Sequence, residues 1–155
     1  MIIKDYKQKE MCKVVRDLFL AIYPKKPELA ERMCFDENMN RHIATKVAII
    51  NNKVVGQANV FLMKEGSEIA NLGYHVHPDF HKKGIGKKLS EEIIKIAKKK
   101  RIKILLIRTD GKNVASINLG KKLGFVKPPK EFLEKNRSLI EHKNIKNMVC
   151  LYKLL

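Results

Sequence analysis

The sequence predicts an α/β fold, a mixed central sheet of about seven strands with flanking helices. Three observations carry that expectation. Apolar residues recur at helical spacing in some segments and at strand spacing in others, in alternation along the chain. Three short strand-like runs follow one another between residues 43 and 76, joined by turn residues, as antiparallel neighbours are. A strand-like run at 102–109, apolar without interruption at 104–107, lacks polar alternation, as a strand covered on both faces does.

Residues 2–6 read as the first strand. From Lys9 to about Tyr23, Val14, Val15, Leu18, Phe19 and Ile22 mark one face of a helix, which Pro24 and Pro27 break. Residues 27–35 form a second short helix with Pro27 in its first turn, and Asp36 to Arg41 is a polar linker. Strands at 43–50 and 53–63 turn at Asn51-Asn52, and another runs from Glu68 to Val76. A helix over 84–100 carries the stripe Ile85, Leu89, Ile93, Ile96 and Ala97. After the strand at 102–109, Asp110-Gly111 turns into a helix over 113–122, which Gly124 ends. Phe125-Val126 opens a short strand. The stretch 127–146 is a polar connection with a helical turn near Glu131 to Asn136, and Met148 to Leu154 is the last strand. One domain over residues 1–155 is expected.

Composition narrows the function classes. Apolar residues make up 45% of the chain, enough for a core, and no apolar run approaches the ~20 residues of a membrane span. The start lacks a signal-peptide h-region, so a cytoplasmic location is expected. Three widely spaced cysteines point to reduced thiols rather than a disulfide framework or zinc ribbon. The net charge of +17 attracts polyanions: nucleic acid, anionic lipid or a phosphorylated cofactor. The lysines are spread along the chain without interleaved aromatics, which counts against a nucleic-acid surface. Lys98-Lys99-Lys100-Arg101 closes a helix, where cations suit the dipole.

Residues 74–89 carry the chemistry. A strand ending in Tyr74-His75-Val76-His77 enters the turn Pro78-Asp79-Phe80-His81-Lys82-Lys83-Gly84-Ile85-Gly86, which opens directly into a helix. Gly84 and Gly86 let backbone approach a ligand with no Cβ in the way, and the N–H groups from Lys82 to Lys87 then face a diphosphate, helped by the helix dipole. A dinucleotide fingerprint fails because Leu89 stands where its third small residue belongs, and a P-loop fails because Lys88 follows Gly86-Lys87.

The segment resembles the acetyl-CoA-binding motif of the GCN5-related N-acetyltransferases, the GNAT superfamily. Where that motif reads Gln/Arg-x-x-Gly-x-Gly/Ala, this chain has His81-Lys82-Lys83-Gly84-Ile85-Gly86. The run from Asn113 to Phe125 resembles the second family block, Asn-x-x-Ala/Ser-x-x-x-Tyr-Glu-x-x-Gly-Phe, and the order of elements is similar along nearly the whole chain. The resemblance implies acetyl-CoA as cosubstrate, no metal, and direct acetyl transfer to a primary amine of a small molecule, peptide or protein. It implies that Val76 bonds the pantetheine arm through main-chain groups and that Asn113 contacts that arm, with Ser116 one turn on. It puts His81, Lys82, Lys83, Gly84, Ile85, Gly86 and Lys87 around the phosphates. A homodimer is implied by the way relatives pair.

Gly120 departs from the family pattern, standing where many relatives carry the Tyr that protonates the leaving thiolate. It leaves room for a bulky acceptor, lets another segment approach closely, or is drift. Tyr74 and Tyr152 stand in for that acid, and Ser116 completes the hydroxyl candidates. Asn71 and Arg108 occupy strand positions where the family often has a carboxylate, so His75 is the candidate base, against a structural role in a half-buried site. His75 and His77 share a strand face, but the third histidine, His81, sits past a proline, which counts against zinc. The alternative functions are a non-catalytic acyl-CoA-binding module and a basic polyanion-binding protein.

Overall fold

A computed structural model describes residues 1–32, 40–141 and 147–155. Its framework is one six-stranded sheet whose spatial order follows the chain: β1 (Ile2–Asp5), β2 (His42–Ile50), β3 (Lys53–Leu62), β4 (Ile69–Val76), β5 (Ile104–Asp110) and β6 (Met148–Leu154). Every neighbouring pair is antiparallel except β4 and β5. The expected seventh strand is reduced to a single bridge, Val126 to Tyr152. Gly124, at φ +80°, ends the preceding helix, and Pro128-Pro129 follow before a ladder can grow.

Helices cover both faces. The parallel step from β4 to β5 needs a crossover, and α3 (Ile85–Lys99) supplies it. Ile85, Leu89, Ile93 and Ala97 are all buried, and they pack on Ala48, Val55, Ala58, Val60, Ala70 and Leu72 of the sheet. The fit is close at Gly56: a Cβ there would lie 3.1 Å from both Ile85 Cγ2 and Leu89 Cδ1. α4 (Val114–Lys122) lies on the same side, with Leu119 and the following Leu123 and Phe125 in the same cluster.

On the opposite face, Val15, Leu18 and Phe19 of α1 (Gln8–Ile22) pack with Tyr6, Val47 and Val54, and α2 (Pro27–Arg32) contributes Ala30. The remainder of the second expected helix, 33–35, and part of the expected linker lie outside the described residues. Two short helices that close this face, α5 (Lys130–Lys135) and α6 (Arg137–Ile140), occupy the long polar connection. Only the first is foreshadowed by the helical turn expected near Glu131. Ile140 packs there with Met63 and Leu106, flanked by Phe132 and Tyr152.

Cys12 is disulfide-bonded, which corrects the reading of three reduced thiols. Cys150 is free, and Cys34 lies outside the described residues. No helix among the described residues is long and apolar enough to cross a membrane.

Leu89 has no exposure and sits between α3 and the sheet. Leu89→Ala should cost about 2–5 kcal/mol by chemical denaturation. A loss below about 1 kcal/mol would contradict this packing.

Candidate active site

β4 and β5 begin paired and then part. Their register runs Ile69 with Ile104, Ala70 with Leu105 and Asn71 with Leu106, and stops. β4 continues to Val76 and β5 to Asp110 with no ladder between them. The edge of β4 from Leu72 to Val76 therefore presents unladdered main-chain groups to a cleft that runs through the sheet.

The phosphate loop lies at the mouth of this cleft. After β4, Pro78–Phe80 makes one 3-10 turn. Lys82 (φ +59°) and Gly84 (φ +75°) then fold the chain back into the start of α3. Gly84 is the N-cap of α3 and offers no side-chain acceptor to the first turn. The backbone N–H groups of residues 82–87 consequently have no acceptor among the described residues, and the first N–H to be bonded is that of Lys88, to the Gly84 carbonyl. Six successive unpartnered amides at a helix N-terminus form an anion cradle. A Cβ added at Gly84 would meet nothing within 4 Å, so the cradle is open. These residues fit a diphosphate.

His81 does not aim at the cradle. Its Nε2 lies 2.9 Å from the Val76 carbonyl and ties the base of the loop to the end of β4. Lys83 Nζ donates to the Asp79 carbonyl and stands 4.7 Å over the Phe80 ring, while Lys87 lies 3.8 Å from Glu91.

Across the cleft, Asn113 caps α4, its Oδ1 accepting from the Ser116 N–H at 3.1 Å. The Tyr74 hydroxyl spans from β4 to α4. It donates to the Ser116 carbonyl at 2.9 Å and lies 2.8 Å from Ser116 Oγ. Burial raises the Tyr74 pKa, partly offset by the bond to Ser116, so the phenol keeps its proton at neutral pH.

Residues of the other face alternate with Tyr74. Ile69, Asn71, Gly73 and His75 point toward the α1 and α5 side. His75 packs edge-on against Phe19, with ring centroids 4.7 Å apart, and against Tyr23 at 6.1 Å. Its Nδ1 is buried without a partner, and burial lowers its pKa from 6.5 to about 4. The ring is therefore neutral through the physiological range.

Its cross-strand partner Gln57 is wholly buried, with both amide atoms unpartnered. Asn59 is 5% exposed, and a Cβ at its partner Gly73 would come within 2.8 Å of its Oδ1. Arg108 of β5 reaches across the point of parting, its Nε donating to Asn71 Oδ1 at 3.0 Å. Gln57, Asn59, Asn71, His75 and Arg108 thus form a polar strip on the face opposite the phosphate loop. Gln57 and Asn59 escaped the sequence reading. The available signal was two amides at alternate positions of an otherwise apolar strand.

Gly120 is buried where α4 approaches the sheet. A Cβ would stand 2.5 Å from Leu151 Cδ1 and 3.3 Å from Ile107 Cδ1. Close approach, rather than room for a large acceptor, explains the glycine. The zinc reading also fails locally: His75 packs on aromatics, His77 accepts from the Asp79 N–H and His81 holds Val76. Among the described residues, no group of three or more His, Cys, Asp or Glu is placed to hold a metal ion.

Comparison with known proteins decides the family. The model of the acetyltransferase (GNAT) family matches residues 9–125. The chain belongs to this family. Structural neighbours extend the likeness to the entire fold. A ribosomal-protein-alanine N-acetyltransferase from Brucella melitensis superposes with a TM-score of 0.74 at 19% identity, covering 100% of both chains. The putative acetyltransferase yncA from Salmonella typhimurium, solved with its cofactor acetyl-CoA, gives 0.71 at 18% identity over 100% of this chain and 94% of its own. A putative GNAT acetyltransferase from Desulfovibrio desulfuricans gives 0.77 at 14% identity over 99% of this chain and 98% of its own. No curated protein matches. The GNAT chain is an acyltransferase by family.

Two outcomes check this geometry. Gly120→Tyr should lower the melting temperature, because overpacking costs about 1–3 kcal/mol and outweighs the gain in helix propensity of about 1 kcal/mol. A higher melting temperature would show that Leu151 yields freely. His75 binds its proton more weakly folded than unfolded, so the unfolded state takes up more protons between about pH 4 and 6.5. The associated stability, on the order of 3 kcal/mol, is complete above pH 6.5 and is lost as pH falls toward 4. His75→Phe should flatten the dependence of unfolding free energy on pH in that window, and an unchanged slope would mean that other groups carry it.

Proposed function

We propose that this GNAT protein transfers acetyl directly from acetyl-CoA to a primary amine, as one cytoplasmic domain. The observation that carries the reading is the run of six unpartnered amides, residues 82–87, at the mouth of the cleft between β4 and β5. In this reading the cradle takes the diphosphate, with Lys82, Lys83 and Lys87 adding positive charge. The unladdered edge of β4 bonds the pantetheine arm as a partner strand would, at Val76 through the N–H, since His81 already holds the carbonyl. Asn113 uses Oδ1 for its cap, which leaves its amide N–H groups for the arm.

The thioester then lies where the strands part, and the amine reaches it from the polar strip on the opposite face. The amine nitrogen attacks the thioester carbon, the tetrahedral intermediate collapses and the C–S bond breaks. The leaving thiolate takes its proton from the Tyr74 hydroxyl. Ser116 Oγ, 2.8 Å away, is placed to relay a solvent proton back to the phenolate, ending with its own proton restored. Neutral His75 is available to accept the proton that the amine loses. Because its proton affinity is low, the rate should climb with pH through the pKa of the acceptor amine rather than level off near 6.5.

Thiol release from acetyl-CoA, measured over a panel of primary amines, tests the proposal. Turnover above the uncatalysed rate supports it. Acetyl-CoA binding without thiol release on any amine would instead support an acyl-CoA-binding module. Tyr74→Phe should lower kcat by about 10²-fold, within the usual range for losing a general acid, while acetyl-CoA binding holds. An unchanged kcat would place the acid elsewhere.

A further inference from the structure

Arg108 is the one charged side chain of the polar strip among the described residues; it is half-buried and has no described counter-ion. Its Nε is held by Asn71 Oδ1 at 3.0 Å. Its Nη1 reaches the Leu139 and Ile140 carbonyls only at 3.5 and 3.4 Å, the outer limit of a hydrogen bond. No hydrogen bond joins its Nη2 to a described residue, and no described carboxylate forms an ion pair with it.

The surroundings do not supply negative charge. Arg41 is close enough to repel it. Cys150 stays a neutral thiol, since burial pushes its pKa up to about 11 despite the nearby guanidinium. The other groups of the strip are the amides of Gln57, Asn59 and Asn71 and the neutral imidazole of His75.

Even half-removal of a guanidinium from water, with no opposite charge beside it, carries a cost. A structural strap for α6 would need only the two carbonyl bonds, and these are the weakest that Arg108 makes. The free edge of its planar fork matches a carboxylate, which it binds with two parallel N–H···O bonds. Its position just beyond the last β4–β5 pair, Asn71 with Leu106, puts that edge beside the place where the strands part.

We propose that the acceptor is a small amine carrying a carboxylate, and that Arg108, oriented by Asn71, binds that carboxylate on the α5 face. This rests on the acetyltransferase reading above. A polycationic acceptor is disfavoured by the same charge: Arg108 and Arg41 repel it, and no described acidic side chain offsets them on the strip.

The test is calorimetric, in the presence of CoA, so that binding is read without turnover. The probes are alanine, methionine, phenylalanine and glutamate, each against its α-amide. At least one free acid should bind about tenfold or more tightly than its amide, the scale of one charge-assisted pair. Arg108→Gln should abolish that difference. Arg108→Lys should retain part of it, and in turnover the loss should fall on KM more than on kcat. Asn71→Asp gives Arg108 an internal carboxylate, so it should raise the melting temperature and weaken the binding of the same acid. That pair of opposite changes separates anion binding from a structural role and does not depend on Arg108→Gln folding. Equal binding of acids and amides, or a preference that survives Arg108→Gln, would overturn the proposal with the transferase reading intact. Failure of acetyl-CoA itself to bind would overturn the transferase reading and this proposal together.

Discussion

Parallel pairing between β4 and β5 ends after Asn71 and Leu106, and every feature that the proposed function uses is arranged about that parting. The rest of the sheet is laddered from β1 to β4 and again from β5 to β6, so each side of the cleft is held in place. α3 bridges the two sides. Its N-terminus ends one side of the cleft with open amides, and its stripe of Ile85, Leu89, Ile93 and Ala97 fixes that terminus to the sheet. An open strand edge next to an open helix terminus is expensive in backbone hydrogen bonds, and a ligand that bonds both relieves that cost.

The two faces of β4 divide the chemistry. Alternation sends Tyr74 toward α4, where Ser116 holds its hydroxyl, and sends His75 toward α1, where Phe19 and Tyr23 keep it neutral. In the proposed reaction Tyr74 is the proton donor to the leaving thiolate and His75 the acceptor from the amine, so the two proton transfers are kept on separate sides of the cleft. Arg108 and Asn71 sit at the apex, where the strands separate, on the His75 face.

Much of this was legible in the sequence because local patterns and global fold agree there. The period of α3 and the apolar run of β5 each have one physical explanation, and the structure uses it, while Gly84 takes the left-handed turn into α3 and Gly86 makes room for Leu119 and Val76. Other features depend on the third dimension. Gly120 looks like a costly residue in a helix until Leu151 and Ile107 are seen to fill the place of its side chain. His81 reads as a phosphate contact, because sequence alone does not show that the Val76 carbonyl lies 2.9 Å from its ring. Gln57, Asn59 and Arg108 are far apart in the chain and become one strip only through the register of three strands. The helices α5 and α6 are short and polar, and the contact of Ile140 with Leu106 and Met63, rather than helical propensity, holds the second of them in place.

The central claim is that the amides of residues 82–87 and the open edge of β4 together form a cosubstrate site. Calorimetric titration with acetyl-CoA at moderate salt tests it most directly, with adenosine and free pantetheine as controls that each lack the diphosphate. The account predicts one-to-one binding of acetyl-CoA that persists as salt rises and is largely lost with either control. Absence of binding would contradict it, and so would binding that vanishes with salt and is indifferent to the pantetheine arm, which would trace the affinity to the net charge of +17.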